Sequence, residues 1–170
     1  MPVPRVEDKR SRASRAELAL GALVLALGTL VYALDRPPDS APLLSAINLH
    51  RFFDDVFGSI GEFLPAFAHV FAFSLFTATW LGGGKRTTLL ACVTWFGIDT
   101  AFEVGQHPQI AEPLVRMIPG WFEYLPILAQ TDTYFLSGTF DDRDLISIAA
   151  GAATAYFVHT CIRAGEKRHE

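Results

Sequence analysis

The chain has 170 residues, 51% of them hydrophobic, a net charge of −4 and two cysteines. That length suits one domain. Scattered basic residues give no nucleic-acid-binding patch, and two cysteines without CxxC spacing give neither a zinc site nor a disulfide framework. The Gly82-Gly83-Gly84 run ahead of Lys85 lacks the spacing of a phosphate-binding loop.

The apolar residues gather into four long stretches, Leu18 to Leu34, Phe63 to Leu81, Thr87 to Val104 and Leu145 to Ile162. Each is about 17 to 20 residues, close to what a helix rising ~1.5 Å per residue needs to cross a hydrocarbon core of ~30 Å. The expected architecture is therefore all-α: an integral membrane four-helix bundle. Its helices are expected at about 17–34, 62–82, 86–107 and 144–163, between a basic leader at 1–16 and a tail at 165–170.

Arg5, Lys9, Arg10, Arg12 and Arg15 precede the first stretch. Lys85 and Arg86 lie in the short second link, and Arg163, Lys167 and Arg168 follow the fourth stretch. The other two connections carry Asp35, Asp39, Asp54, Asp55, Asp132, Asp141 and Asp142. Cytoplasmic retention of positive charge then places both termini in the cytoplasm of a multi-pass protein in a plasma (inner) membrane. A cleaved signal peptide is the competing reading of the first stretch, but its apolar run exceeds the usual ~7–15 residues. The leader itself, with its prolines and serines, reads as disordered or as lying on an anionic leaflet.

Asp35-Arg36-Pro37-Pro38 ends the first helix. The segment LLSAINLHRFFDDVFGSI then spaces Leu49, Phe52, Phe53, Val56, Phe57 and Ile60 by threes and fours, which predicts an amphipathic helix on the outer surface. A turn of about five residues makes the second and third helices antiparallel neighbours. The stretch from 107 to 143 is long for a bundle connection. Its prolines at 108, 113, 119 and 126 and its aromatics Trp121, Phe122, Tyr124 and Tyr134 predict short helical pieces across the outer mouth. The last helix, rich in Ser147, Ala149, Ala150, Gly151, Ala152, Ala153 and Ala155, is expected at the packed centre.

Chemistry concentrates on the third helix. Asp99, Glu103 and Gln106 stand at i, i+4 and i+7, on one face. Carboxylates at such depth must face the bundle or a water-filled cavity, and two so close need a cation or a shared proton. His69 on the second helix and Arg143 are the candidate cations. One of Asp141, Asp142 and Asp144 is expected to cap the fourth helix. The candidate pocket comprises His69, Asp99, Glu103, Gln106, Arg143 and Asp144, with no metal and no cofactor expected.

Three segments resemble the VanZ-like membrane protein family: Ala68 to Phe73, Phe102 to Gln106, and Asp144 to Gly151. The resemblance implies four transmembrane helices with a histidine on the second, Glu-x-x-Gln on the third, and an aspartate followed seven residues later by glycine on the fourth. Here those positions are His69, Glu103, Gln106, Asp144 and Gly151. The chain departs from the family pattern at Ala66, Phe73 and Ile148, where a lysine, a tyrosine and an asparagine are usual. The implied function is binding of a cell-envelope lipid or glycopeptide-like ligand, with membrane lipids as partners and no nucleic acid. The alternatives are an intramembrane enzyme with Glu103 as base, or a structural subunit.

Overall fold

The computed structural model describes residues 6–37, 47–53, 55–125 and 128–167, with side chains from Arg12 to Gly165. Among them every regular element is a helix. The elements are α1 (Val6–Leu34), α2 (Ile60–Trp80), α3 (Lys85–Gly105), α4 (Pro108–Val115), α5 (Thr131–Ser137) and α6 (Asp142–Lys167), with 3-10 turns at His50–Phe52 and Gly120–Tyr124. Arg5, Asp39, Asp54, Pro126 and Arg168, which entered the sequence reading, lie outside the described residues.

Three helical spans are long and apolar enough to cross a membrane: Arg12–Leu34, Ile60–Trp80 and Asp142–Gly165. These mark the chain as a membrane protein. The expected fourth, α3, has 21 residues, as α2 does. Its lower apolarity follows from Asp99, Glu103 and threonines at 87, 88, 94 and 100. The exterior agrees with an apolar solvent: Leu23, Leu90, Ile146 and Phe157 are all more than half exposed, while Glu17, Ser74, Thr88 and His159 are fully or almost fully buried. A water-soluble domain shows the reverse bias.

The long helices run up and down, so the starts of α1 and α3 share an end with the finishes of α2 and α6. We call this the basic end, after Lys85, Arg86 and Arg163, and the opposite one the acidic end. The centre belongs to α2, which packs on α1, α3 and α6. The small-residue helix α6 lies beside it rather than at the centre. Its Gly151 gives the reason: a β-carbon there would lie 2.6 Å from the Phe67 carbonyl oxygen, so the glycine lets α6 dock on the backbone of α2. Likewise Gly28 and Gly21 of α1 meet Ala68 and Phe76 of α2. Since α2 and α6 touch each other and both flanking helices, they form the short diagonal, with α1 and α3 on opposite sides.

Two expectations about local structure are corrected. Helix α1 starts at Val6, not near residue 17, and Ala13 is already buried, so the leader is largely helical. The continuous amphipathic surface helix is absent over 47–53 and 55–59, where the described helical residues are Ile47 and the short 3-10 turn His50–Phe52. The physical cause is competition for backbone donors. The Asp35 carboxylate accepts the amides of Val56 at 2.9 Å and Phe57 at 2.8 Å, and Leu49 N–H donates to Ala33 O at 2.7 Å. Asn48 donates to the Tyr32 and Arg36 carbonyls that end α1. Positive φ at Asp55 and Gly58 breaks any continuous helix. The segment still exposes Phe52, Val56 and Ile60, as a surface element should.

The connection between α3 and α6 does form short pieces. Helix α4 starts with Pro108 behind the His107 cap, and α5 seats Phe135 against Gly105, where a β-carbon would collide with the ring.

Candidate functional site

The stripe on α3 divides among three partners. At mid-helix, His69 Nδ1 lies 2.6 Å from Asp99 Oδ2. The carboxylate is largely covered, with a side chain 12% exposed, whereas the histidine side chain is 43% exposed. The imidazole packs against Phe73 at 4.5 Å and edge-on to Trp95 at 5.7 Å. Trp95 is itself fixed by donating its indole N–H to Thr77 Oγ1 at 2.9 Å. Of the two carboxylates, His69 thus meets Asp99 and not Glu103.

One turn further on, Glu103 is 8% exposed, and its Oε1 accepts the backbone amide of Asp141 at 2.7 Å. Asp141 in turn caps α6, its Oδ1 accepting Arg143 N–H at 2.9 Å. In a capping box the cap residue's own amide is taken by a carboxylate three residues along the same helix. Here a carboxylate from another helix takes it. Glu103 therefore ties the end of α3 to the positive start of α6, which suits its charge.

Arg143 does not reach Glu103. It stands 3.7 Å from Glu62, both side chains being more than half exposed. Asp144 is half-buried, and Glu103, Asp141, Arg36 and Glu62 all act on it electrostatically. Gln106 donates to Tyr134 Oη at 2.7 Å, linking α3 to α5. Tyr134 is 45% exposed, and its hydroxyl lies in the polar end of the bundle beside Gln106. Loss of water there, with Tyr32 and Glu103 nearby, pushes the phenol up to about 12.

Of the six residues expected to form one pocket, Glu103, Gln106 and Asp144 lie at the acidic end, where Gln106 bonds to α5 and Glu103 acts electrostatically on Asp144. Asp99 and His69 form a separate pair between α2 and α3, and Arg143 sits on the rim with Glu62. Sequence spacing alone cannot separate these, since one helical stripe faces different neighbours at different heights. Among the described residues no three His, Cys, Asp or Glu side chains are placed to hold a metal. His107 accepts Gln109 N–H at 3.3 Å as the α4 cap and packs on Phe140.

The most deeply buried polar cluster was not anticipated from sequence. Glu17 of α1 is 0% exposed at the basic end. Arg163 grips it with two bonds of 3.0 Å, and Thr79 donates to it at 2.9 Å. His159 Nδ1 lies 2.9 Å from Glu17 Oε1, at ion-pair distance but off the line of a hydrogen bond. Arg163 also reaches Ser14 and lies over Gly83, where a side chain would not fit. Arg163 had been read as a topology signal only. The usable clue was local: His159 and Arg163 stand one turn apart on one helical face, and Glu17 is the only acid adjoining the first apolar stretch on that side.

No protein family, characterised protein or solved structure matches the chain. The resemblance to VanZ-like proteins rests on His69, Glu103, Gln106, Asp144 and Gly151 in this sequence.

Proposed function

We propose that the chain is a four-helix, VanZ-like integral protein of a bacterial-type inner membrane, with both termini cytoplasmic. In this reading α3 is the fourth span, shielded by α2 and α6 on its polar side, and the acidic end faces outward. There it binds a cell-envelope lipid or a glycopeptide-like ligand. The observation that carries this is the nearness of Glu103 and Asp144, in a helix end where carboxylates outnumber the arginines acting on Asp144. Such an arrangement suits a ligand that brings hydrogen-bond donors or a cation. The aromatics of the covering segment, Trp121 and Tyr124, are more than half exposed, as interfacial anchors are.

The test uses the full chain reconstituted in nanodiscs made with envelope lipid extract, with native mass spectrometry to identify retained species. Glu103→Gln keeps an oxygen able to accept the Asp141 amide, so the fold should hold. Loss of a retained species in that variant, at unchanged thermal stability, supports the proposal. An identical set of retained species in both proteins overturns it. Reporter fusions near residue 125 and at the C-terminus check orientation, external for the first and internal for the second.

A further inference from the structure

Between α1 and α2, residues 47–53 are tied to the last turn of α1. Leu49 N–H donates to Ala33 O at 2.7 Å, Asn48 donates to Tyr32 O and Arg36 O, and His50 Nδ1 lies 3.3 Å from Leu34 O. Leu34 is also where the apolar span Arg12–Leu34 stops. The next residue, Arg51, is therefore held level with the edge of the apolar layer. In the membrane reading this is the depth at which hydrocarbon gives way to headgroup phosphates.

Arg51 is exposed, and its guanidinium lies over the Phe52 ring, 4.5 Å from the centroid. His50, Arg51, Phe52 and Phe53 line a hollow of about 290 Å³. Phe52 and Phe53 are 64% and 45% exposed, so open apolar surface borders the cation. The other arginines described at this end are committed: Arg36 acts on Asp144, Arg116 pairs with Glu112, and Arg143 stands by Glu62. Arg51 has no carboxylate at ion-pair distance among the described residues. The Asp35 carboxylate is taken up by the Val56 and Phe57 amides.

From this we infer that the hollow is a phospholipid site: Arg51 holds the phosphate of a lipid in the adjoining leaflet, and Phe52 and Phe53 rest against its glycerol and upper acyl carbons. The guanidinium fork matches the paired oxygens of a phosphate, and a face laid on an aromatic ring leaves its edge N–H groups free to donate. A lipid fits better than a free anion because exposed rings flank the cation, and a soluble phosphate has no apolar part to lay against them. The inference rests on the membrane reading above, but neither on which way the chain faces nor on a ligand at Glu103.

The experiment is photo-crosslinking of the full chain in nanodiscs of a phosphate-free glycolipid, digalactosyl diglyceride, with labelled peptides located by mass spectrometry. One probe is a phosphatidylglycerol with a diazirine on the acyl chain near the glycerol, and the control is the digalactosyl lipid bearing the same chain. Normalised to label on the outward leucines of α1, the phospholipid should label 47–60 about tenfold above the control, the ratio that ~1.4 kcal/mol gives. Arg51→Gln should abolish that excess, Arg51→Lys should restore part of it, and Glu103→Gln should leave it intact. Equal labelling of 47–60 by the two probes in the unaltered protein overturns the inference, as does an excess that survives Arg51→Gln. An excess that vanishes in saturating inorganic phosphate at fixed ionic strength overturns the lipid as occupant. Because the two-probe comparison needs no variant, misfolding of Arg51→Gln cannot decide the outcome. A lost excess at 47–60 beside a retained species that still depends on Glu103, or the reverse, shows which reading has failed.

Discussion

The two ends of the bundle use the same side chains to opposite effect. At the basic end one carboxylate, Glu17, is matched by Arg163, His159 and Thr79 and is withdrawn from solvent entirely. At the acidic end Glu103, Asp144, Asp141 and Glu62 face Arg36 and Arg143, and the Arg143–Glu62 contact is long and exposed. The first is a lock, because both oxygens of the buried carboxylate are taken by donors from α2 and α6. The second has spare acceptors and, among the described residues, is followed by short elements rather than a long helix. A surplus of one charge type is thus what separates a candidate binding end from a structural one.

Breaking the lock should have the largest effect. Glu17→Ala removes the buried acceptor shared by Arg163 and Thr79, and the expected loss is about 3–5 kcal/mol of stability in detergent-based unfolding. A loss below ~1 kcal/mol would mean that the cluster is solvated after all. Next comes Gly151→Ala, whose added carbon must push α6 off the Phe67 carbonyl, with an expected cost of about 1–3 kcal/mol. Because Gly151 faces the central helix, a neutral result would require α6 to be free to shift.

The acidic end should respond less, and in a way that depends on chemistry. Glu103→Ala orphans the Asp141 amide and should cost about 1–3 kcal/mol, whereas Glu103→Gln should cost less than ~1 kcal/mol. Equal losses for the two would argue that charge, not the hydrogen bond, holds α6 there. Tyr134→Phe removes only the Gln106 bond, in a half-open position, so about 0.5 kcal/mol is expected by thermal unfolding.

The smallest signal is in pH. A phenol raised to about 12 favours the neutral form in the folded protein. Its contribution is complete below the ordinary tyrosine value of ~10 and fades as pH rises through about 12. Phenolate absorbance should include a late-ionising component, and Tyr134→Phe should diminish it.

What was legible in the sequence was whatever depends on nearest neighbours along the chain. Long apolar runs gave the four long helices, Pro108 and its fellows gave the broken outer segment, and the acid-rich start of α6 gave its cap, which proved to be Asp141. Partners far apart in sequence were not legible. Glu17 and Arg163 are separated by 146 positions, and nothing local to either announces the other. The segment after α1 misled for a different reason. Its apolar spacing is helical, but Asp35 and Asn48 compete for backbone groups that periodicity does not count. Placing α6 at the centre overvalued small side chains, which serve close approach on one side as well as burial on all sides.

The Glu17–Arg163 pair also imposes an order in time. A chain synthesised from its N-terminus completes α1 and its carboxylate long before the last helix that neutralises it exists. Until Arg163 arrives, Thr79 is the nearest of the cluster's donors to have been made. The first helix therefore travels through biogenesis carrying an unanswered charge, and the final turn of the last one closes both the bundle and that account.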